Sequence, residues 1–390
     1  MRIAFLCSSL EPGRDGVGDY SRELAAELIA QGHEACLISL ADRAVTGIVE
    51  ELQDAGGILV AALRVPVSVP WPQRVAVARQ FMERMGVSWI SFQFVPYSYS
   101  PKGVIRTALP FLVQLAEGRK VHMMFHELWI GNSMNSVLKH RLVGALQRHY
   151  VMRLIRKLAP AHVHTSNPVY AAFLAREGIR AGILPLFGNI PVHADAGAGE
   201  ALRLFRQEGV DLSLPEPGAY WVGGIFGSIV REWTPEPFFG ELEAAAIREK
   251  KTVVIVGMGR FGEAGDRIWA DVVQTYAGRF RFALLGLLDA ATLSHVFRIL
   301  NFGVSMTPWR AFGKSSTGAS MTDHGLPMIV TRDDWKPRPP IDVEFNYSPL
   351  VRRFDSALMK DFASFLATKR EPRSTRPDAA RSFVQSLFTS

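Results

Sequence analysis

Three consecutive segments near the start decide the fold. They are Arg2-Ile3-Ala4-Phe5-Leu6-Cys7, then Ser8-Ser9-Leu10-Glu11-Pro12-Gly13-Arg14-Asp15-Gly16-Val17-Gly18, then Asp19-Tyr20-Ser21-Arg22-Glu23-Leu24-Ala25. Ile3–Cys7 is an unbroken apolar run of strand length, the mark of a strand covered on both faces. The run stops at Ser8-Ser9, too short for the core of a secretory signal. Glycines then let the backbone turn. After them the period changes: Leu24, Ala25, Leu28 and Ile29 recur on one helical face. The spacing predicts a helix over 19–31, with Asp19 as its cap and Gly32 as its stop. Apolar residues return at 34–39. Strand, glycine turn, helix and strand make one unit of a doubly wound parallel sheet, in which ligands gather at the carboxyl ends of the strands.

The same alternation runs outward. Apolar strands are expected at 57–65, 88–95, 121–125, 161–165 and 180–184, with helices at 73–85, 136–158 and 168–177. The small, polar stretch 193–200 (His-Ala-Asp-Ala-Gly-Ala-Gly-Glu) reads as a linker. Beyond it, strands are expected at 219–226, 251–256, 280–285, 302–306 and 328–330, and helices at 263–277, 289–299 and 316–324. Two more helices, at 356–369 and 381–387, close the chain. The expected architecture is therefore α/β. A Rossmann-like domain spans 1–192 and a second spans 201–355, facing a central cleft. The closing helices, 356–390, follow and are expected to pack back on the first domain.

Composition agrees. The 390 residues are 48 % hydrophobic and 21 % charged, which excludes disordered and fibrous classes. Two cysteines, Cys7 and Cys36, make no disulfide framework and fit a reducing, cytoplasmic setting. No apolar run reaches the ~18 residues of a membrane span. A net charge of +7 is mild for this length, and no nucleic-acid-binding motif accompanies it.

Four places could carry chemistry. Gly16, Val17 and Gly18 follow the first strand and open a helix, where free N–H groups and the dipole suit an anion. Gly257-Met258-Gly259-Arg260-Phe261-Gly262 has the letters of a dinucleotide fingerprint. Its first downstream acid, Asp289, falls past the next strand, so a nicotinamide-dependent oxidoreductase is the weaker alternative. Gly313-Lys314-Ser315-Ser316-Thr317 precedes the helix ending at His324, and offers an ammonium, hydroxyls and N–H groups to a diphosphate. Pro308 stands where a Walker loop needs glycine. His126 ends a strand and can orient a hydroxyl or steady developing charge. His162 and His164 alternate within a strand and read as structural. The helix around Lys139–Lys157 carries Lys139, Arg141, Arg148, Arg153, Arg156 and Lys157 between Leu138, Leu142, Leu146, Tyr150, Leu154 and Ile155. That pattern suits a solvated face over a buried stripe, or else contact with an anionic membrane surface.

With these residues in view, the chain resembles GT-B glycosyltransferases, and family 4 most. The segment from Arg2-Ile3-Ala4-Phe5 through Gly13, Gly16-Val17-Gly18, Tyr20 and Leu24-Ala25 to Gly32-His33-Glu34 is similar to that family's N-terminal signature. His126-Glu127 is similar to its cleft histidine, and Leu184–Pro191 to its interdomain segment. Ile255–Gly259 and Leu284-Leu285-Gly286 resemble its glycine-ended donor-domain strands. Gly325-Leu326-Pro327 resembles the end of its donor-site helix.

The resemblance implies transfer of a sugar from a nucleotide-sugar donor to a glycan, lipid or other acceptor. It implies retention of configuration and no metal or other cofactor. Catalytic roles fall on His126, Arg231 and Lys314. Donor phosphate binding falls on Gly16, Val17, Gly18, Ser315, Ser316, Thr317 and Ser320, and nucleotide binding on Gly257, Gly286 and Leu287. One departure stands out: the family's donor-site glutamate pair falls on Phe312 and Ser320. A catalytically silent sugar-nucleotide-binding relative is the alternative that this departure raises.

Overall fold

A computed structural model describes residues 1–193, 197–212 and 218–388. They form two compact units. The first contains Met1–Leu186, Lys336–Phe345 and the C-terminal helix from Arg376; the second contains Phe187–Trp335 and Asn346–Thr375. The division falls at Leu186, ahead of the stretch 193–200. Residues 194–196 of that stretch lie outside the described residues, and its end already belongs to a helix.

In the first unit the elements run β1 (Arg2–Cys7), α1 (Gly16–Ala30), β2 (Glu34–Asp42), β3 (Val49–Ala55), β4 (Ile58–Pro66), α2 (Trp71–Arg84), β5 (Trp89–Phe94), α3 (Leu109–Ala116), β6 (Lys120–Phe125), α4 (Leu138–Leu158), β7 (His162–Thr165), α5 (Pro168–Arg176) and β8 (Gly182–Ile183). The sheet order is β3-β4-β2-β1-β5-β6-β7-β8. All pairings are parallel except β3–β4, an antiparallel hairpin. Its turn, Gly56-Gly57, has φ of +65° and +87°, the left-handed conformation that tight hairpins require. The central strands β1 and β5 are buried along almost their whole length, which is why they read as plain apolar runs.

The second unit runs α6 (Ala198–Gln207), β9 (Tyr220–Phe226), α7 (Glu236–Arg248), β10 (Thr252–Met258), α8 (Gly262–Tyr276), β11 (Arg281–Gly286), α9 (Ala290–Ile299), β12 (Phe302–Ser305), α10 (Ser316–Asp323), β13 (Met328–Val330), β14 (Val351–Arg353), α11 (Ser356–Lys360) and α12 (Phe362–Leu366). Its sheet, β11-β10-β9-β12-β13-β14, is wholly parallel. Along β10 the pleat sends Val253 and Ile255 to a cluster with Phe238, Phe239 and Leu242 of α7. Val254, Val256 and Met258 join the opposite cluster, with Phe205 of α6 and Phe297 of α9.

The chain then returns to the first unit as α13 (Arg376–Phe388), which begins five residues before the sequence pattern suggests. Arg376 pairs with Glu23 and Glu27 of α1. Phe383 lies on Phe5 of β1 and His122 of β6, with ring centroids 5.8 Å and 4.9 Å away.

Candidate functional site

In the second unit, three strands end on glycines of positive φ. Gly227 follows β9 at +92°, Gly259 follows β10 at +95°, and Gly286 ends β11 at +64°. The three are linked. Gly227 N–H donates to the Met258 carbonyl at 2.9 Å, and Gly259 N–H donates to the Gly286 carbonyl at 2.7 Å. A Cβ on Gly259 would stand 3.2 Å from the Gly227 nitrogen, so bare backbone is what allows this approach. The start of α10 meets the same edge, because a Cβ on Gly227 would lie 3.0 Å from the Thr317 methyl.

The loop into α10 is a 3₁₀ turn, Trp309–Lys314, braced by one tyrosine. Tyr347 donates to the Trp309 carbonyl at 3.0 Å and accepts from Gly313 N–H at 3.3 Å. Burial pushes its hydroxyl up to about 12. Ser315 caps α10, its Oγ accepting from Gly318 N–H at 3.0 Å and lying 3.1 Å from Thr317 Oγ1. The first N–H groups of a helix have no intrahelical partner. A neutral hydroxyl thus takes one of them, and the N–H groups of Ser316 and Thr317 remain at the positive end of the dipole. Lys314 stands immediately before the cap, half-buried. Arg231 is exposed in the loop that leaves β9, and Leu287 is exposed just past β11.

Other expected site residues have different work. Gly257 is buried within β10, where a Cβ would lie 2.7 Å from the Phe261 ring and 2.9 Å from Leu284, so packing requires a glycine there. Asp289 accepts from Thr292 N–H and Oγ1 at 2.9 Å and 2.7 Å, bonds that hold its carboxyl below the usual range. It caps α9, so the fingerprint-like run lacks its ribose acid. Ser320 is fully buried: its hydroxyl donates to Asn189 Oδ1 at 2.8 Å and accepts from Asn189 N–H at 3.1 Å. It fastens the segment after Phe187 to α10. Phe312 packs against Gly318 and Tyr347. Asp323 and His324 end α10 as anchors. Burial raises Asp323, which accepts from Gly188 N–H and from Thr375. Burial lowers His324, whose ring meets Ser294 Oγ at 2.8 Å.

In the first unit, α1 begins at Gly16 with Asp15 as its cap, three residues ahead of expectation. The Asp15 carboxylate accepts from Val17 N–H at 2.9 Å and Gly18 N–H at 3.0 Å. Two of the three N–H groups expected to hold a phosphate, those of Val17 and Gly18, are therefore occupied by an anion of the chain itself. Gly18 is needed for packing, since a Cβ would collide with the Ser9 carbonyl.

A buried charge network fixes this loop. Asp42 accepts from Leu10 N–H, Ser9, Ser39 and Arg64 at 2.9–3.2 Å. Burial pushes its carboxyl up, but the Arg64 bond and backbone donors bring it below the usual range. Arg22 donates to Asp19, Gln53 and the Leu10 carbonyl. His126 follows β6, buried, with Nε2 2.8 Å from Gln93 Oε1 and the Tyr20 ring edge-on at 5.2 Å.

The basic helix α4 divides along its length. Leu154 and Ile155 are buried, whereas Leu138, Leu142 and Leu146 form an exposed row at i, i+4, i+8, continued by Met134 and Val137. Gly144 lets the helix seat, because a side chain there would strike the Ile130 carbonyl. No helix among the described residues is long and apolar enough to cross a membrane. Sequence reasoning did not find Gly227, Tyr347 or Gln93. Only Gly227 leaves a local sign, a glycine directly after a buried strand.

No family model matches the chain, and no curated protein matches it. Solved structures do. The chain is similar over its full length to HepE from Anabaena, solved with UDP and glucose (14 % identity, 95 % of that chain, TM-score 0.53). It is equally similar to the catalytic domain of starch synthase IV from Arabidopsis thaliana, bound to ADP and acarbose (12 %, 100 % of this chain, 95 % of that one, 0.53). A UDP-GlcNAc 2-epimerase from Methanocaldococcus jannaschii matches over 100 % of both chains (8 %, 0.52). At such identities the likeness is one of fold: two Rossmann-like α/β units, the fold of the GT-B glycosyltransferases.

Proposed function

We propose that the protein is a nucleotide-sugar-dependent glycosyltransferase whose second unit binds the donor. The observation that carries this reading is the cradle of Gly227, Gly259 and Gly286 against the start of α10. There the start of α10, with its N–H groups and dipole and with Lys314 one residue before the cap, meets the carboxyl edge of the sheet. In this reading the N–H groups of Ser316 and Thr317, with the Ser315 and Thr317 hydroxyls beside them, hold the donor diphosphate. Lys314 and Arg231 stabilise the charge that grows on it as the glycosidic bond breaks. These cations take the part that a divalent metal plays elsewhere, so transfer is proposed to be metal-independent, and retaining by resemblance to family 4. Gly286 and Leu287 border the nucleoside. The first unit takes a glycan or lipid acceptor, and His126 orients a sugar hydroxyl. The exposed leucine row on α4, flanked by Lys139 and Arg148, suits peripheral contact with an anionic membrane surface.

A second reading, a silent sugar-nucleotide-binding relative, is favoured by one observation. The positions of the family's two glutamates hold Phe312 and Ser320, both committed to packing. A screen of UDP-, GDP-, ADP-, CMP- and dTDP-sugars, with NADH as control, separates the readings. Donor turnover, unaffected by chelator, supports the first. Binding without transfer or hydrolysis supports the second. Binding of NADH alone contradicts both.

A further inference from the structure

Beneath α13 the first sheet carries an unbroken line of buried polar side chains that runs from His126 to four residues the proposed reaction does not use. His126 Nε2 lies 2.8 Å from Gln93 Oε1, and Gln93 Nε2 donates to Ser91 Oγ at 2.7 Å. Ser91 Oγ lies 2.7 Å from His122 Nδ1, and His122 Nε2 lies 2.9 Å from His164 Nδ1. The line crosses β5, β6 and β7, and the strand register explains it. Ser91 pairs with His122, and His122 with His162, whose neighbour two residues on, His164, shares the same face. Ser91, Gln93 and His122 are almost wholly buried, and Phe383 seals the middle of the line.

The direction of the line follows from Gln93. With its oxygen toward His126 it can only accept there, and in this orientation His126 donates from Nε2. Its amide hydrogen goes to Ser91, whose own hydrogen passes to His122 Nδ1. His122 then keeps its proton on Nε2 and donates to His164. Burial and the neighbouring histidines hold His122 well below its ordinary range, and burial holds His164 at about 4. Both rings are therefore neutral near pH 7, with one N–H apiece. The only other complete pattern is the reverse one. It turns over the Gln93 amide, the Ser91 hydroxyl and the histidine tautomers together, and His126 then accepts at Nε2.

We propose that Gln93, Ser91, His122 and His164 are positioning residues that fix the tautomer of His126, and that His164 is the end through which the outer edge of the sheet reaches it. At that edge His164 lines an open cavity of about 740 Å³ with His162, Arg156 and Arg180. Gly182 leaves room for its ring, since a Cβ there would lie 2.8 Å from Cδ2 and 2.9 Å from Nε2. The consequence for sugar transfer rests on the reading of His126 above; the coupling itself does not.

The test is ring-nitrogen NMR of the full chain labelled with ¹⁵N-histidine, with His126 assigned by the loss of its signals in His126→Asn. The wild type should show His126 as one tautomer, protonated on Nε2. Ser91→Ala breaks the line without touching His126 and should turn its signals into those of a tautomer mixture. Gly182→Ala presses on His164 at the far end; it should also move the His126 resonances, and it serves alone should Ser91→Ala fail to fold. A wild-type His126 protonated on Nδ1, or a His126 unmoved in both variants, overturns the proposal. Coupling in a protein without transfer activity supports the relay and removes the transferase reading. Transfer activity without coupling removes the relay alone.

Discussion

Two loops in this molecule look alike in sequence and differ in electrostatics. Ser8–Gly18 follows β1 and leads into α1, while Trp309–Ser315 leads into α10. Both carry glycine and serine, and both end at a helix N-terminus. At α1 the cap is a carboxylate, and Asp15 occupies the N–H groups of Val17 and Gly18. At α10 the cap is the neutral Ser315, and a lysine stands before it. A helix start attracts anions only where its N–H groups are not already answered by an anion. The first loop is a preset scaffold; the second is where the proposed function puts the donor phosphate.

The sharpest break of this comparison is on the scaffold side. Asp42→Ala leaves Arg64 buried without its inner partner. Chemical denaturation should show a loss of about 3–5 kcal/mol, as for other broken buried pairs. On the ligand side, Lys314→Ala should lower kcat by roughly 10²–10³ while Tm holds, the scale of removing one group that stabilises transition-state charge. Near-normal turnover would take Lys314 out of the mechanism. Ser315→Asp gives α10 the cap of α1. The helix keeps its hydrogen bond, but nucleoside diphosphate affinity should fall about tenfold, or ~1.4 kcal/mol, by calorimetric titration. The smallest effect is the reverse exchange. Asp15→Ser should cost about 1 kcal/mol or less, because a hydroxyl also caps, and should leave nucleotide affinity unchanged.

What the sequence made legible, and what it hid, follows the same physics. The unit β1–α1–β2 and the central strands of the second sheet, β9, β10, β12 and β13, were readable because burial on both faces leaves apolar runs, whereas β14, Val351-Arg352-Arg353, carries two exposed arginines and was not. The strand β3 was not, since Glu50, Glu51 and Asp54 along it are the charges of an exposed edge. The helix α7 was hidden behind Pro235 and Pro237, which break a helix interior yet suit its first turn. Lys314–Thr317 was visible as a candidate site because its chemistry is contiguous. The bonds of Ser320 were not legible because its partner, Asn189, is 131 residues away in sequence. Gly257 belongs to a motif whose letters fit a phosphate loop, but tertiary packing by Phe261 and Leu284 decides its role. Asp15 could have been found: an acid two residues before the first free N–H is a capping signal.

The most direct measurement is a thermal-shift titration of wild type, Ser315→Asp and Asp15→Ser with UDP, GDP, ADP, CMP and dTDP. A nucleotide that binds only the folded state adds about 2.7 kcal/mol at 100 times its Kd. One nucleoside diphosphate should raise the Tm of wild type and of Asp15→Ser by the same amount, and that of Ser315→Asp clearly less. No shift with any nucleotide, or a shift lost in Asp15→Ser and kept in Ser315→Asp, would contradict the placement of the donor phosphate at α10.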